Sequence, residues 1–141
     1  MKLTQQSSGS FSNNGLAPAT TNKRLYFTRS AGVPINSANT DVAVVSGLPA
    51  LYRVISFTPF GDGSGVPILG TLAMYTAAAA GGNNIVAAAV LTALSAQYVP
   101  LDMTIAITTF QTSPTLYIRN VVANAAAITV GFRLVIEDMT P

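Results

Sequence analysis

The chain has 141 residues, of which half are hydrophobic and only 9% are charged, with a formal net charge of +2 and no cysteine, histidine or tryptophan. The missing cysteines and histidines exclude a disulfide framework and the common zinc sites, and they remove the side chain most used in acid–base catalysis. One domain with its own core is expected at this length. Because an average soluble domain has about 25% charged residues, the low charge favours a surface covered by copies of the chain or by a partner.

The first 22 residues are rich in Ser, Thr, Asn, Gln and Gly, with isolated Leu3, Phe11 and Leu16. This composition predicts an arm that forms no core of its own. Residues 1–30 contain four basic and no acidic side chains, too few and too scattered to predict nucleic-acid binding. The polar start lacks the apolar run of a secretory signal, so synthesis and initial retention in a cytoplasm are expected.

From residue 41 the sequence changes to short runs rich in β-branched and aromatic residues, separated by Gly, Pro and Asn. In the clearest run, apolar residues alternate from Ile128 to Ile136, which predicts a strand with one face on a core. The predicted strands cover residues 41–46, 51–60, 66–76, 98–108, 115–123 and 127–138, with a further short strand as an option at 23–30. The Gly/Asp-rich connection at 61–65 predicts a hairpin.

These patterns predict an all-β fold, an antiparallel β-sandwich or barrel, and we favour a jelly-roll-like sandwich. Residues 1–40 are interpreted as an extended N-terminal arm and linker, and residues 41–141 as the sandwich domain. The low charge favours a protein that assembles rather than one that catalyses.

The uncharged stretch YTAAAAGGNNIVAAAVLTAL, residues 75–94, is open to three interpretations. A membrane span is disfavoured because the Gly-Gly-Asn-Asn sequence at 81–84 would lie in the middle of the bilayer. A helix over 84–96 is compatible with its apolar spacing. We favour a strand that ends at 75–80, a reversal at 81–84, and a second short strand from Ile85 that passes into a helical turn.

No group of side chains predicts an active site. Glu137 and Asp138 are neighbours in a strand and point to opposite faces, so they are a poor pair for glycoside hydrolysis. The loop at 61–65 has one carboxylate, fewer than calcium requires, and lacks the Lys-Ser/Thr ending of a phosphate-binding loop. We expect a non-enzymatic protein with no cofactor and no metal; a carboxylate-dependent hydrolase using Asp62 and Asp102 is the least favoured alternative.

Aromatic side chains leave room for a carbohydrate-binding platform, although most of them are expected in the core or at an interface. The candidates are Tyr26, Phe27, Tyr52, Phe57, Phe60, Tyr75, Tyr98, Phe110 and Tyr117.

Several segments resemble the decoration, or cement, proteins of tailed-bacteriophage heads. They are GLPALYRVISFT (47–58), YTAAAAGGNNIVAAAV (75–90), LDMTIAITT (101–109), TLYIRN (115–120) and ITVGFRLVIED (128–138). The resemblance implies a jelly-roll-like domain that forms homotrimers and binds the major capsid protein outside the icosahedral shell, at junctions between subunits. Such proteins brace the shell against the pressure of packaged DNA.

On this interpretation the chain is a structural virion protein on the capsid exterior, with no membrane and no direct nucleic-acid partner. The arm would contact the capsid through three apolar and three basic side chains: Leu3, Phe11, Leu16, Lys23, Arg24 and Arg29. The alternative is a glycan-binding module, either a phage fibre or tail-tip domain or a free lectin-like sandwich.

Overall fold

A computed structural model describes residues 23–94 and 99–141. This part of the chain contains seven strands and no helix. The strands are β1 (Arg24–Pro34), β2 (Thr40–Val45), β3 (Tyr52–Gly61), β4 (Thr71–Ala77), β5 (Gly81–Val90), β6 (Leu116–Val122) and β7 (Thr129–Asp138). Over the same residues, no helix has the length and hydropathy needed to span a bilayer.

The strands form two packed antiparallel sheets, which confirms the predicted all-β antiparallel sandwich. The three-stranded sheet has the order β1-β7-β3, and the four-stranded sheet has the order β2-β6-β4-β5. Side chains from the two inner faces make one core. Its largest fully buried members include Tyr52, Phe57, Leu72, Met74, Ile118 and Leu134.

Strand β7 runs through the middle of the three-stranded sheet and follows its predicted alternation. Val130, Leu134 and Ile136 are fully buried, whereas Arg133 on the other face is exposed. Because β7 pairs with β1 on one side and β3 on the other, its backbone N–H and C=O groups form hydrogen bonds along both edges of the strand. The central strand was therefore the most predictable element.

Strand β1 belongs to the sandwich and not to a linker. It pairs with β7 from Arg24 opposite Glu137 to Pro34 opposite Thr129, and its Phe27 packs against the core. The sandwich therefore begins before the predicted boundary between residues 40 and 41, because β1 completes the three-stranded sheet. The predicted arm over residues 1–22 lies outside the described residues.

An extended segment, residues 99–111, closes one side of the sandwich by bonding to both sheets. The N–H of Leu101 donates to the carbonyl of Pro59 in β3 (2.9 Å), and the N–H of Ala106 donates to the carbonyl of Ile85 in β5 (2.7 Å). The prediction of one regular strand over 98–108 is wrong, because the segment first bonds to the edge of the three-stranded sheet and then to the edge of the four-stranded sheet. It covers edge groups that would otherwise be open to another chain.

The connection from β3 to β4 crosses between the sheets, so the hairpin predicted at 61–65 is wrong. The predicted strand over 66–76 also begins only at Thr71. Asp62 holds this crossover in place: its Oδ2 accepts hydrogen bonds from the Gly32 N–H (3.1 Å) and the Thr129 hydroxyl (2.5 Å), and its Oδ1 accepts one from the Ser64 N–H (3.0 Å).

Partial burial acts to raise the pKa of the Asp62 carboxyl, but hydrogen bonds from Thr129, Ser64 and Gly32 outweigh it. The pKa of Asp62 therefore lies below its usual value. This carboxylate joins β1, the crossover and β7, so its role is structural.

The alanine-rich stretch forms a hairpin between β4 and β5. Strand β4 ends at Ala77 and β5 starts at Gly81, so the predicted reversal at 81–84 is displaced and lies at Ala78–Ala80. The helix considered over 84–96 is wrong where the chain is described, since β5 continues to Val90. Pairing with β4 outweighs the helix preference of alanine.

The tip of this hairpin holds two alanines in the left-handed region. Ala79 has φ of 56° and Ala80 of 64°, and the Gly81 N–H donates to the Ala78 carbonyl (3.0 Å). A non-glycine residue there costs about 1–2 kcal/mol, and Asn-Gly is the preferred pair for such a turn. The tip is therefore strained by the residues that occupy it.

Replacing Ala79→Asn together with Ala80→Gly is expected to raise the free energy of unfolding by about 1–2 kcal/mol, because both residues accept positive φ. Urea denaturation followed by circular dichroism measures this change. Ala125→Gly, at an exposed position without positive φ, serves as the control and should bring no gain. A double variant no more stable than the wild type would contradict the strained turn.

Candidate binding surfaces

The predicted arm contacts are not gathered into one cluster by the described residues. Leu3, Phe11 and Leu16 lie outside them. Lys23 and Arg24 are exposed at the start of β1. Arg29 lies five residues further along β1, roughly 17 Å away, and its Nη2 donates to the Gly32 carbonyl (3.2 Å). Contact of these cations with a capsid remains a prediction.

The described residues contain two ion pairs, and both join neighbouring strands. The Arg53 Nε lies 2.7 Å from the Glu137 Oε1, and the Arg119 Nη1 lies 2.8 Å from the Asp41 Oδ1. The second carboxylate also accepts a hydrogen bond from the Ala79 N–H (2.8 Å). Asp41 therefore links the β4–β5 turn to β2, and the Arg119–Asp41 ion pair has a structural role.

An apolar surface lies at one end of the four-stranded sheet. Val90 of β5 and Val122 of β6 both pair with Thr71 of β4, one on each side. The loop that precedes Thr71 contains Ile68 and Leu69, and the Thr71 hydroxyl donates to the Leu69 carbonyl (3.0 Å). We call these four apolar residues, Ile68, Leu69, Val90 and Val122, the end patch. They are between 44% and 64% exposed.

A buried amide fixes the loop part of the end patch. The Oδ1 of Asn124, which is 3% exposed, accepts hydrogen bonds from the N–H groups of Ile68 (2.8 Å) and Leu69 (3.2 Å). Its Nδ2 donates to the Ala126 carbonyl (3.1 Å). The backbone N–H groups of Ile68 and Leu69 thus have hydrogen-bond partners, while the side chains of both residues are exposed. The end patch is therefore preformed.

The end patch also lacks charge around it in the sequence. Residues 63–101 and 120–132, which supply all four side chains, contain no Lys, Arg, Asp or Glu. Isolated exposed apolar side chains are common on proteins, but a contiguous group is typical of an interaction surface.

A groove of about 310 Å³ lies on the outer face of the three-stranded sheet. We call it the Arg133 groove; it is lined by Thr28, Thr58, Phe60, Pro100 and Arg133. Arg133 of β7 is flanked by Thr28 of β1 and Thr58 of β3 at directly paired positions. The Thr58 hydroxyl donates to the Asp102 Oδ1 (2.7 Å).

The ring of Phe60 covers the backbone of β7 beside Arg133. A Cβ on Gly131 would lie 2.6 Å from the Phe60 Cε1, so glycine allows the ring to lie close to the strand. Phe60 is one of the aromatic candidates predicted from the sequence, whereas Arg133 was not predicted. The sequence feature that could have indicated Arg133 is its position on the outward face of the predicted central strand, between Gly131 and Val135.

Among the other aromatic candidates, Tyr52 and Phe57 are structural, whereas Tyr26 and Phe110 are 63% and 58% exposed. Burial raises the pKa of Tyr52 to about 12, and its hydroxyl donates to the Ser113 carbonyl (2.9 Å). Phe57 is fully buried, and Tyr98 lies outside the described residues. Hydrogen bonds from Thr140 lower the pKa of Asp138. Within residues 23–94 and 99–141, no group of three acidic side chains lies close enough to hold a metal ion.

Comparisons with known proteins give no family assignment. No family model matches the chain, and neither the curated proteins nor the solved structures gave a match. The proposed function is therefore argued from the fold, the end patch, the Arg133 groove and the resemblance of the sequence to phage-head proteins.

Proposed function

We propose that the protein is a structural virion component, a decoration protein that forms a homotrimer and binds the major capsid protein outside the shell. The end patch carries this proposal: it is apolar and preformed, and no charged residue occurs in the chain segments that build it. The phage-head resemblance of the sequence supports the same class. Self-association is the step on which the rest of the proposal depends.

A second copy of the chain is the occupant proposed for the end patch. A copy presents the same uncharged surface, so apolar side chains meet without an unpaired charge being buried. Burial of apolar surface contributes about 25 cal/mol per Å². Contacts repeated around a shell then strengthen binding through multivalency.

Lys23, the first described residue, lies at the other end of the sandwich from the end patch. The Lys23 carbonyl accepts a hydrogen bond from the Asp138 N–H (2.7 Å), whereas Ile35, just beyond the far end of β1, bonds to Ile128 and Asn124. The 22 residues before Lys23 span at most about 75 Å when extended. We therefore assign the arm to the capsid and the end patch to other copies.

The strand order supports a jelly roll, which remains part of the proposal. Counting residues 99–103 beside β3 gives two four-stranded sheets, β1-β7-β3-(99–103) and β2-β6-β4-β5. Eight strands in two Greek keys define this architecture, which occurs in viral capsid and lectin domains alike. The fold alone therefore does not separate decoration from glycan binding.

The second candidate is a glycan-binding module of a fibre or tail tip. The Arg133 groove favours it, because it combines an aromatic ring with convergent polar side chains. The groove lies on the other sheet from the end patch, so a trimer could use both surfaces.

Binding to shells tests the assignment to the capsid. Full-length protein added to expanded shells that lack it is expected to sediment with them to saturation. Removal of residues 1–22 should abolish this binding, because it takes away the proposed apolar contacts Leu3, Phe11 and Leu16. Circular dichroism and solution mass serve as controls and should not change. Full occupancy by the truncated chain would contradict the role of the arm, and no binding by the full chain would contradict decoration.

A further inference from the structure

The Arg133 groove has a charge that its own sheet does not neutralise. Arg133 forms no ion pair within the described residues, and both of its cross-strand neighbours are threonines. On the same face of β7, Glu137 is instead paired with Arg53 at 2.7 Å. A guanidinium fork matches the geometry of a carboxylate and binds it through two hydrogen bonds. The groove is therefore built around an available anion-binding group.

The other lining groups differ from those of a simple anion site. Thr28 and Thr58 place hydroxyls on both sides of Arg133, and Asp102 accepts the hydrogen bond of Thr58 (2.7 Å). A threonine hydroxyl that donates to a carboxylate retains lone pairs that accept hydrogen bonds. The charge of Asp102 opposes a doubly charged phosphate more strongly than a singly charged carboxylate, and its oxygens accept hydrogen bonds from ligand hydroxyls. The polar groups therefore fit a ligand that has one negative charge and several hydroxyls.

Phe60 supplies an apolar surface next to these groups. Its ring lies close to Gly131, two residues from Arg133 on the same face of β7. An aromatic ring beside convergent polar groups is typical of small-ligand sites. The volume of about 310 Å³ is near the lower end of such sites, about 300–1,000 Å³, which suits one sugar unit.

We propose that the Arg133 groove binds a carboxylated sugar, such as a uronic acid or a sialic acid unit of a surface glycan. Arg133 binds the carboxylate, Thr28 and Thr58 bind hydroxyls, and the Phe60 ring contacts the apolar face of the sugar ring. This activity is independent of shell binding, since it uses the outer face of the other sheet. It assigns the chain a ligand class in addition to its proposed structural role.

The test is a titration of full-length, ¹⁵N-labelled protein with the methyl glycosides of glucuronic acid and N-acetylneuraminic acid, followed by NMR. At least one of the two acidic glycosides is expected to give saturable chemical-shift changes confined to Thr28, Thr58, Arg133 and their neighbours. The glycoside that does so identifies the type of acidic sugar that binds. Methyl glucoside and inorganic phosphate are the comparison ligands, and both should bind at least tenfold more weakly. Equal binding of phosphate, or no saturable shift with either acid, would overturn the proposal.

Matched variants locate the interaction. Arg133→Gln is expected to weaken binding of the carboxylated sugar about tenfold or more, as for loss of a charge-assisted hydrogen bond. Arg53→Gln removes an arginine from the same sheet that is already ion-paired, and binding should not change. Arg133 is exposed, so its substitution should leave thermal unfolding unaltered. Wild-type affinity in Arg133→Gln would overturn the assignment.

Discussion

Replacing Gly131 with alanine is expected to lower the free energy of unfolding by about 3 kcal/mol, at the upper end of what overpacking costs. A Cβ at this position would lie 2.5 Å from the Ser30 carbonyl oxygen and 2.7 Å from that of Arg29. Both oxygens belong to the backbone of β1, which has a register irregularity between Arg29 and Val33. They cannot rotate away as a side chain can, so β1 and β7 must separate. Urea denaturation measures the loss.

The same substitution at Gly47 is the matched control. Gly47, unlike Gly131, has positive φ (74°), and its Cβ would meet nothing within 4 Å. Gly47→Ala should therefore cost only the conformational penalty, about 1–2 kcal/mol. Equal losses at the two positions would show that β1 does not approach β7 as closely as described.

The second large effect is expected at the end patch. The double substitution Ile68→Ser and Leu69→Ser should convert the proposed trimer to a monomer, because these side chains are 64% and 53% exposed in the single chain. Burying a large aliphatic side chain contributes about 1.5–3 kcal/mol, and each interface in the assembly would lose this contribution. Sedimentation equilibrium measures the shift in mass.

Val44→Ser provides the control for the end patch. Val44 is 56% exposed on the same sheet, but it pairs with Tyr117, away from the end patch. This variant should keep the wild-type mass, and circular dichroism should show that all variants remain folded. A double variant that keeps the wild-type mass, or a Val44 variant that dissociates, would contradict the assigned interface.

The sandwich could be predicted because several strands show their burial in their sequence. In β7 the core-facing residues from Val130 to Ile136 alternate with an outer face on which Arg133 is exposed but Val135 is buried. The alanine hairpin was harder, because alanine favours helices and only pairing with β4 makes residues 81–90 a strand. The segment at 99–111 was harder still, because it bonds to two sheets in turn.

The candidate surfaces were less predictable than the fold. The sequence pattern placed Ile68 and Leu69 in a strand. Their N–H groups instead donate to the side chain of Asn124, more than fifty residues away, and their own side chains are exposed. The Arg133 groove combines residues of β1, β3 and β7 with Pro100. No local pattern indicates such a set, because the sheet order brings distant segments together. The arm contacts, by contrast, remain predictions from sequence.

The most direct test of self-association is the mass of the unaltered full-length protein in solution. Sedimentation equilibrium over a range of concentrations is expected to give three times the chain mass of 14.5 kDa, with dissociation only on dilution. A mass of 14.5 kDa at every concentration would contradict the proposal that the end patch joins copies of the chain.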